Sequence, residues 1–255
     1  ADDTNYNGTT VPNKEMSHGS TDSFNPMATI EGKIAADTLL FGGISQKSRI
    51  PSIKDRYSYR MATYIANPNL EAEKTTNYEI GIKQKFGSQT IKTNIFYMNT
   101  KDYIQEVQNV SGAKSQLQNV GKVTSKGIEI DYFAMPLDSL SVNANATFQS
   151  VTNENPNIKI MDIPNAIANL SVRYSPTKWF RWTNSIKAES GRFTTANASL
   201  RTDSYAVVNT GLGFELHRNV AIEAGVDNLL DKNYAITYGY PEEGRRYWAN
   251  LKLKY

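Results

Sequence analysis

From residue 24 onward the chain alternates apolar and polar side chains one by one, in short runs separated by polar punctuation. A strand sends successive side chains to opposite faces, so each run predicts a strand with one apolar and one polar face. The cleanest run places Leu140, Val142, Ala144, Ala146 and Phe148 on one side, against Ser141, Asn143, Asn145, Thr147 and Gln149 on the other. The last run sets Tyr247, Ala249, Leu251, Leu253 and Tyr255 against Arg246, Trp248, Asn250, Lys252 and Lys254. The same reading gives strands through Phe24–Ala35, Thr38–Lys47, Tyr78–Phe86, Ile91–Met98, Ile128–Ala134, Ala166–Tyr174, Phe180–Glu189, Ala206–Leu216 and Val220–Asp227.

Short and long connections alternate. Tight turns are expected at Ala36-Asp37, Gly87-Ser88, Pro136-Leu137-Asp138, Pro176-Thr177 and Arg218-Asn219. Long loops are expected over Ser48–Thr75, near Asn109–Gly112, around Pro156, over Gly191–Arg201 and before the final strand. About eleven strands of about ten residues, joined in this rhythm, match an antiparallel transmembrane β-barrel with short periplasmic turns and long extracellular loops. The polar face carries Glu, Asp, Lys or Arg on strand after strand, which suits a wet or plugged lumen rather than the packed core of a soluble sandwich. In lipid every strand needs two hydrogen-bonded neighbours, so such a sheet must close.

Composition narrows the chemistry. The 255 residues carry a net charge of +3 and so show no nucleic-acid footprint. The chain has no cysteine, which removes disulfides, thiol catalysis and thiolate metal sites. Its two histidines, His18 and His217, lie far apart, so no metal site and no cofactor is expected. No nucleophile elbow, phosphate loop or zinc helix is present, and no enzyme activity is expected. Glu242 and Glu243 read as a solvated pair, and Asp227 and Asp231 as structural residues at a strand end. No apolar run is long enough for a transmembrane helix, a fact that leaves a barrel untouched. Fifteen tyrosines suit interfacial girdles or a ligand surface equally well.

The stretch Asn228-Leu229-Leu230-Asp231-Lys232 with Tyr234, then Gly239, Tyr240, Gly244 and Arg245, then a final strand ending on Tyr255, resembles the carboxyl end of TonB-dependent outer-membrane receptors. That family usually ends in Phe. Arg49-Ile50-Pro51-Ser52 with Asp55-Arg56-Tyr57, Asn67-Pro68-Asn69-Leu70-Glu71-Ala72-Glu73-Lys74, Tyr78-Glu79-Ile80-Gly81, Asn119-Val120-Gly121 and Lys126-Gly127-Ile128-Glu129 extend the likeness in order across residues 24–255.

The resemblance implies several things. Such receptors have an amino-terminal plug, a TonB box and a barrel of about 22 strands. This chain is therefore expected to be the second half of the barrel, with residues 1–23 an extracellular loop and residues 24–255 the carboxyl-terminal barrel half, in the Gram-negative outer membrane. No secretory signal opens it, so a signal is expected to have been removed or the chain to belong to something longer. Implied partners are the remaining barrel half and plug, the TonB complex acting through the plug, the barrel-assembly machinery, membrane lipids and a small metal chelate. Leu251, Leu253 and Tyr255 would form the assembly signal. The implied activity is active import of a ferric siderophore. The ending is also similar to that of cobalamin receptors, with haem as a further alternative, and a passive porin or adhesin-like barrel is the reading of another class.

Arg and Tyr gather in the predicted outer loops. Guanidinium groups pair with carboxylates or catecholates and aromatic rings stack on planar ligands, so Arg56, Tyr57, Tyr59, Tyr234, Tyr238, Tyr240 and Arg245 are the ligand-contact candidates. Arg192 and Arg201 are weaker ones. The competing reading is that these side chains tie loops together.

Overall fold

The computed structural model describes residues 22–253, together with the short strands Asp3–Thr4 and Thr10–Val11, which pair antiparallel. Tyr255, expected to end the assembly signal, lies outside the described residues. Eleven strands form one antiparallel meander: β1 (Met27–Ala35), β2 (Thr38–Arg49), β3 (Glu73–Phe86), β4 (Gln89–Lys101), β5 (Val123–Leu137), β6 (Leu140–Asn153), β7 (Ala166–Thr177), β8 (Phe180–Glu189), β9 (Tyr205–His217), β10 (Val220–Asp227) and β11 (Arg246–Leu253). Each strand hydrogen-bonds to its neighbours in sequence, so the sheet runs in chain order from β1 to β11. The sheet is not closed, and β1 and β11 are its two edges.

Register carries the alternation across the sheet. One row joins Ile30, Gly42, Ile80, Ile95, Ile128, Phe148 and Ala166. Another joins Tyr174, Trp182, Leu212, Ala224 and Ala249. The opposite face carries Lys83, Lys92, Asp131, Asn145, Asn169 and Lys187 in a single row. The first face is the lipid side and the second the lumen side, as in barrels whose strands alternate apolar-out and polar-in. On the lumen face three aromatic side chains lie across the glycine directly opposite: Phe41 over Gly81, Phe96 over Gly127 and Trp248 over Gly225. A side chain on any of these glycines would occupy the space of the ring, and the ring covers backbone that a glycine leaves bare.

Two-residue turns close one end, and long loops crown the other. Two turns sit later than the prolines suggest. β5 runs through Pro136 to Leu137 and turns at Asp138-Ser139; β7 runs through Pro176 to Thr177 and turns at Lys178-Trp179. Each proline lies in a bulge, where the register slips and the ladder needs no donor from it. The strands flanking the first long loop reach further than expected, to Arg49 and from Glu73, while β1 starts at Met27 rather than Phe24. The loop expected near Asn109–Gly112 is larger and has its own hairpin, Ile104–Ser111 with Lys114–Asn119.

The most buried apolar side chains are found mainly at the loop end. Leu70, Ile104, Val120, Val123, Ile160 and Ala196 are all buried there. The wall itself is one sheet thick and exposes its large apolar residues, such as Ile30, Ile80, Ile95 and Leu251, to the surrounding lipid.

Candidate ligand-binding loops

The first loop starts at Pro51-Ser52. Ser52 caps a five-residue helix, α1 (Ile53–Tyr57), through a capping box: its hydroxyl accepts from the Asp55 amide at 3.1 Å and the Asp55 carboxylate accepts from the Ser52 amide at 3.0 Å. Arg49 at the end of β2 bridges Asp55 at 3.5 Å and Glu73 at 3.1 Å, fixing the helix to the start of β3. Glu73 also accepts from the buried Ile104 amide at 2.6 Å, which ties in the second loop.

Four loops are knitted into one layer. The Ile65 amide donates to the Ser115 carbonyl at 2.8 Å and the Ser115 amide to the Thr63 carbonyl at 3.0 Å, an isolated β-bridge that joins the first loop to the hairpin of the second. Asn67 donates to the Leu117 carbonyl at 2.9 Å and Asn119 to the Glu71 carbonyl at 3.1 Å. Gln105 of the hairpin donates to Lys159 O at 2.9 Å and accepts from the Met161 amide at 3.0 Å, engaging the third loop. The Lys159 and Asp162 amides donate to Ala196 and Phe193 of the fourth, at 2.8 and 2.9 Å. Above this layer Tyr64 donates its hydroxyl to Glu106, and the Arg60 guanidinium sits 4.1 Å from the Tyr64 ring centre. Burial, and then the Glu106 hydrogen bond, push the Tyr64 hydroxyl up to about 12.

The fifth loop, between β10 and β11, stands apart. Among the described residues no hydrogen bond joins it to the fourth. The Tyr205 and Tyr234 rings meet there with centres 4.3 Å apart. Beside them a cleft of about 400 Å³ opens between the two loops, lined among others by Arg201, Asp203, Lys232, Tyr234, Tyr238 and Tyr240. Tyr234 also borders a second cleft, of about 450 Å³, on the lumen side, with Lys187, Asp227, Glu243 and Arg246. Burial pushes the Tyr234 hydroxyl up, and the neighbouring Glu242 adds to it.

The sequence-derived candidates fall in two separate groups. Arg56, Tyr57 and Tyr59 sit on and after α1. Arg56 and Tyr57 are half-buried, the Arg56 carbonyl accepts from the Asn67 amide at 2.8 Å, and Tyr59 is 48% exposed. Tyr234, Tyr238, Tyr240 and Arg245 lie on the fifth loop, with β3 to β10 between the groups. Tyr238 and Tyr240 are exposed, and Tyr240 is 73% accessible. Arg245 is exposed, and its amide donates to Asp231 at 2.8 Å. Arg192 is buried and paired with Glu189, which accounts for it as a structural residue. Arg201 holds its guanidinium 5.6 Å from the Phe193 ring centre. Asp227 accepts from Arg246 at 2.8 Å, and Glu243 pairs with the same arginine at 3.0 Å.

Sequence reasoning gave no role to Asn228, the residue that shapes the fifth loop. It is 3% exposed. Its side chain accepts from the Lys232 amide at 2.8 Å and donates to the carbonyls of Lys232 and Glu243 at 2.9 and 3.3 Å. Its own amide donates to Asn209 of β9 at 2.8 Å. An asparagine between an amphipathic strand and a charged loop was the available signal.

The family model for the β-barrel described as "TonB dependent receptor-like" matches residues 1–229. The chain belongs to this family. An iron-regulated outer membrane virulence protein of Vibrio cholerae is 25% identical over 244 residues, covering 84% of this chain and 37% of that protein. Among solved structures, the ferric enterobactin receptor of Pseudomonas aeruginosa superposes with a TM-score of 0.72 at 17% identity, over 91% of this chain and 40% of that one. The copper transporter OprC gives 0.73 at 19% identity, over 89% and 39%. The chain thus spans about two fifths of the length of these relatives. Family membership places it in the Gram-negative outer membrane, and the eleven-strand sheet has the fold of these barrels.

Proposed function

We propose that the chain forms part of the wall and outer loops of a TonB-dependent importer, and that its cargo is a ferric siderophore. The observation that carries the reading is the cleft at the fifth loop. It presents the exposed rings of Tyr238 and Tyr240 and the cations Arg201 and Lys232 at the outer mouth. Through Tyr234 it adjoins a cleft on the lumen face. An anionic, partly aromatic chelate would find stacking faces and charge-assisted donors there. Arg245, exposed beside this loop, extends the positive surface. The iron-regulated relative supports a ferric cargo.

In this reading the remaining barrel strands and the plug complete the pore, and the TonB complex supplies the drive through the plug. Arg56, Tyr57 and Tyr59 belong to the rim of the first loop and contribute less, since two of the three are half-buried. The test is growth of a strain lacking the full gene under iron limitation, with single ferric siderophores as the iron source, and in parallel under cobalamin limitation. Loss of growth on a ferric siderophore supports the proposal. Loss on cobalamin alone replaces the cargo, and unchanged growth in both overturns the importer reading.

A further inference from the structure

The lipid face of the sheet is nearly free of charge, and the exceptions cluster. Among the described strand positions that share this face, the only Lys, Arg, Asp or Glu residues are Lys74, Lys101 and Lys126. They belong to three adjacent strands, β3, β4 and β5, and all three lie toward the loop end. Lys74 and Lys101 are directly opposed in register. Lys126 is opposed to Tyr97, which itself faces Tyr78 with ring centres 6.3 Å apart. All three lysines are exposed, and none has an ion-pair partner among the described residues.

Like charges opposed across two strands are destabilising unless something between them is negative. The adjacent row, on the lumen side, has such a partner: Arg49 and Glu73 are opposed and bonded there. On the lipid side the chain supplies none. The place along the strand says what can. Tyr78 and Tyr97 sit at the height of an interfacial aromatic girdle, with Ile80 and Ile95 below them in the apolar band. Lys74 and Lys101 stand four residues further out, about 13 Å along the strand. The polar side chains Gln46, Thr76, Asn99, Thr124 and Thr152 form the row between. This is headgroup depth on the loop side of the membrane, where lysine clusters attract anionic lipid.

We propose that Lys74, Lys101 and Lys126 form a docking site for the phosphate groups of an outer-leaflet lipid, whose chains would lie on the apolar rows of β3 to β5. The two opposed lysines would share one phosphate, and Lys126, lower and one strand over, would take a second. The proposal needs only the lipid-side assignment and stands whatever the cargo of the pore.

The test uses the full receptor containing this chain, reconstituted in phosphatidylcholine vesicles doped with diphosphorylated lipid A or with its dephosphorylated form. The retained glycolipid is counted by native mass spectrometry after detergent extraction. The unaltered receptor is expected to keep the phosphorylated form in preference. Each lysine near an anionic surface contributes roughly fivefold, so the triple substitution K74Q/K101Q/K126Q is expected to reduce retention at least about tenfold. The triple arginine variant should retain the lipid, and the lumen-face substitutions K83Q and K92Q should change nothing. Equal retention by the glutamine variant, or no preference for the phosphorylated form in the unaltered receptor, overturns the proposal. If the triple variant fails to fold, the single glutamine variants and the comparison of the two glycolipids decide it.

Discussion

Asn228 offers the sharpest handle on how the fifth loop is held. Replacing it with alanine removes three side-chain hydrogen bonds, two to Lys232 and one to Glu243. Each is worth about 0.5–1.5 kcal/mol net, and water can reach the released groups once the loop loosens, so the local loss is roughly 2 kcal/mol. The residue also holds φ at 50°, a conformation asparagine tolerates and alanine resists at a cost of about 1 kcal/mol. Asn228→Ala should therefore cost about 3 kcal/mol locally, and Asn228→Gly, which has no such strain, about 2. Residues 228–245 should then open about thirtyfold more often in the glycine variant, and more in the alanine variant. Hydrogen exchange of peptides covering this segment, measured on the full receptor in detergent, reads the effect directly. The fourth loop, residues 190–204, should exchange as before, because no hydrogen bond joins it to the fifth. Unchanged exchange of 228–245 in both variants would refute the view that Asn228 organises the loop.

Arg245→Ala and Tyr240→Ala in the full receptor should each weaken cargo binding about tenfold, with normal abundance in the membrane; equilibrium binding to isolated membranes measures this, and unchanged affinity in both would leave the loop a structural element. Gly225→Ala places a methyl group 2.5 Å from the Trp248 ring and 2.6 Å from the Thr210 carbonyl, so it should destabilise the wall by about 1–3 kcal/mol. A lower midpoint for the loss of heat-modifiable migration, with a shifted Trp fluorescence, checks it. The 255-residue chain refolded alone in detergent should aggregate or stay protease-sensitive, since β1 and β11 leave two unpaired edges; a protease-resistant monomer would contradict this.

The wall was legible in the sequence because its physics is local. A lipid-facing strand must alternate, and the run from Leu140 to Gln149 keeps one side apolar over its whole length, so strand and face both follow from period two. The prolines misled by two residues because Pro136 and Pro176 occupy bulges, which depend on the neighbouring strand's register rather than on the chain's own pattern. The loops were barely legible. The second-loop hairpin is held by Gln105 and Ser115, whose partners are 50 or more residues away in sequence, and nothing periodic announces such bonds. Arg192 looked like a free cation until the loop buried it against Glu189. Asn228, by contrast, sits in a recognisable motif, yet only the folded loop shows that its side chain closes a turn.

Import of a ferric chelate at the expense of energy, as proposed for the full receptor, can be measured directly. The direct measurement is accumulation of radiolabelled ferric siderophore by cells expressing the full receptor, with and without a protonophore that collapses the proton gradient. Accumulation is expected to stop when the gradient is lost, while binding at the cell surface persists. Uptake that proceeds equally with and without the gradient, following only the external concentration, would make the barrel a passive pore and contradict the proposal.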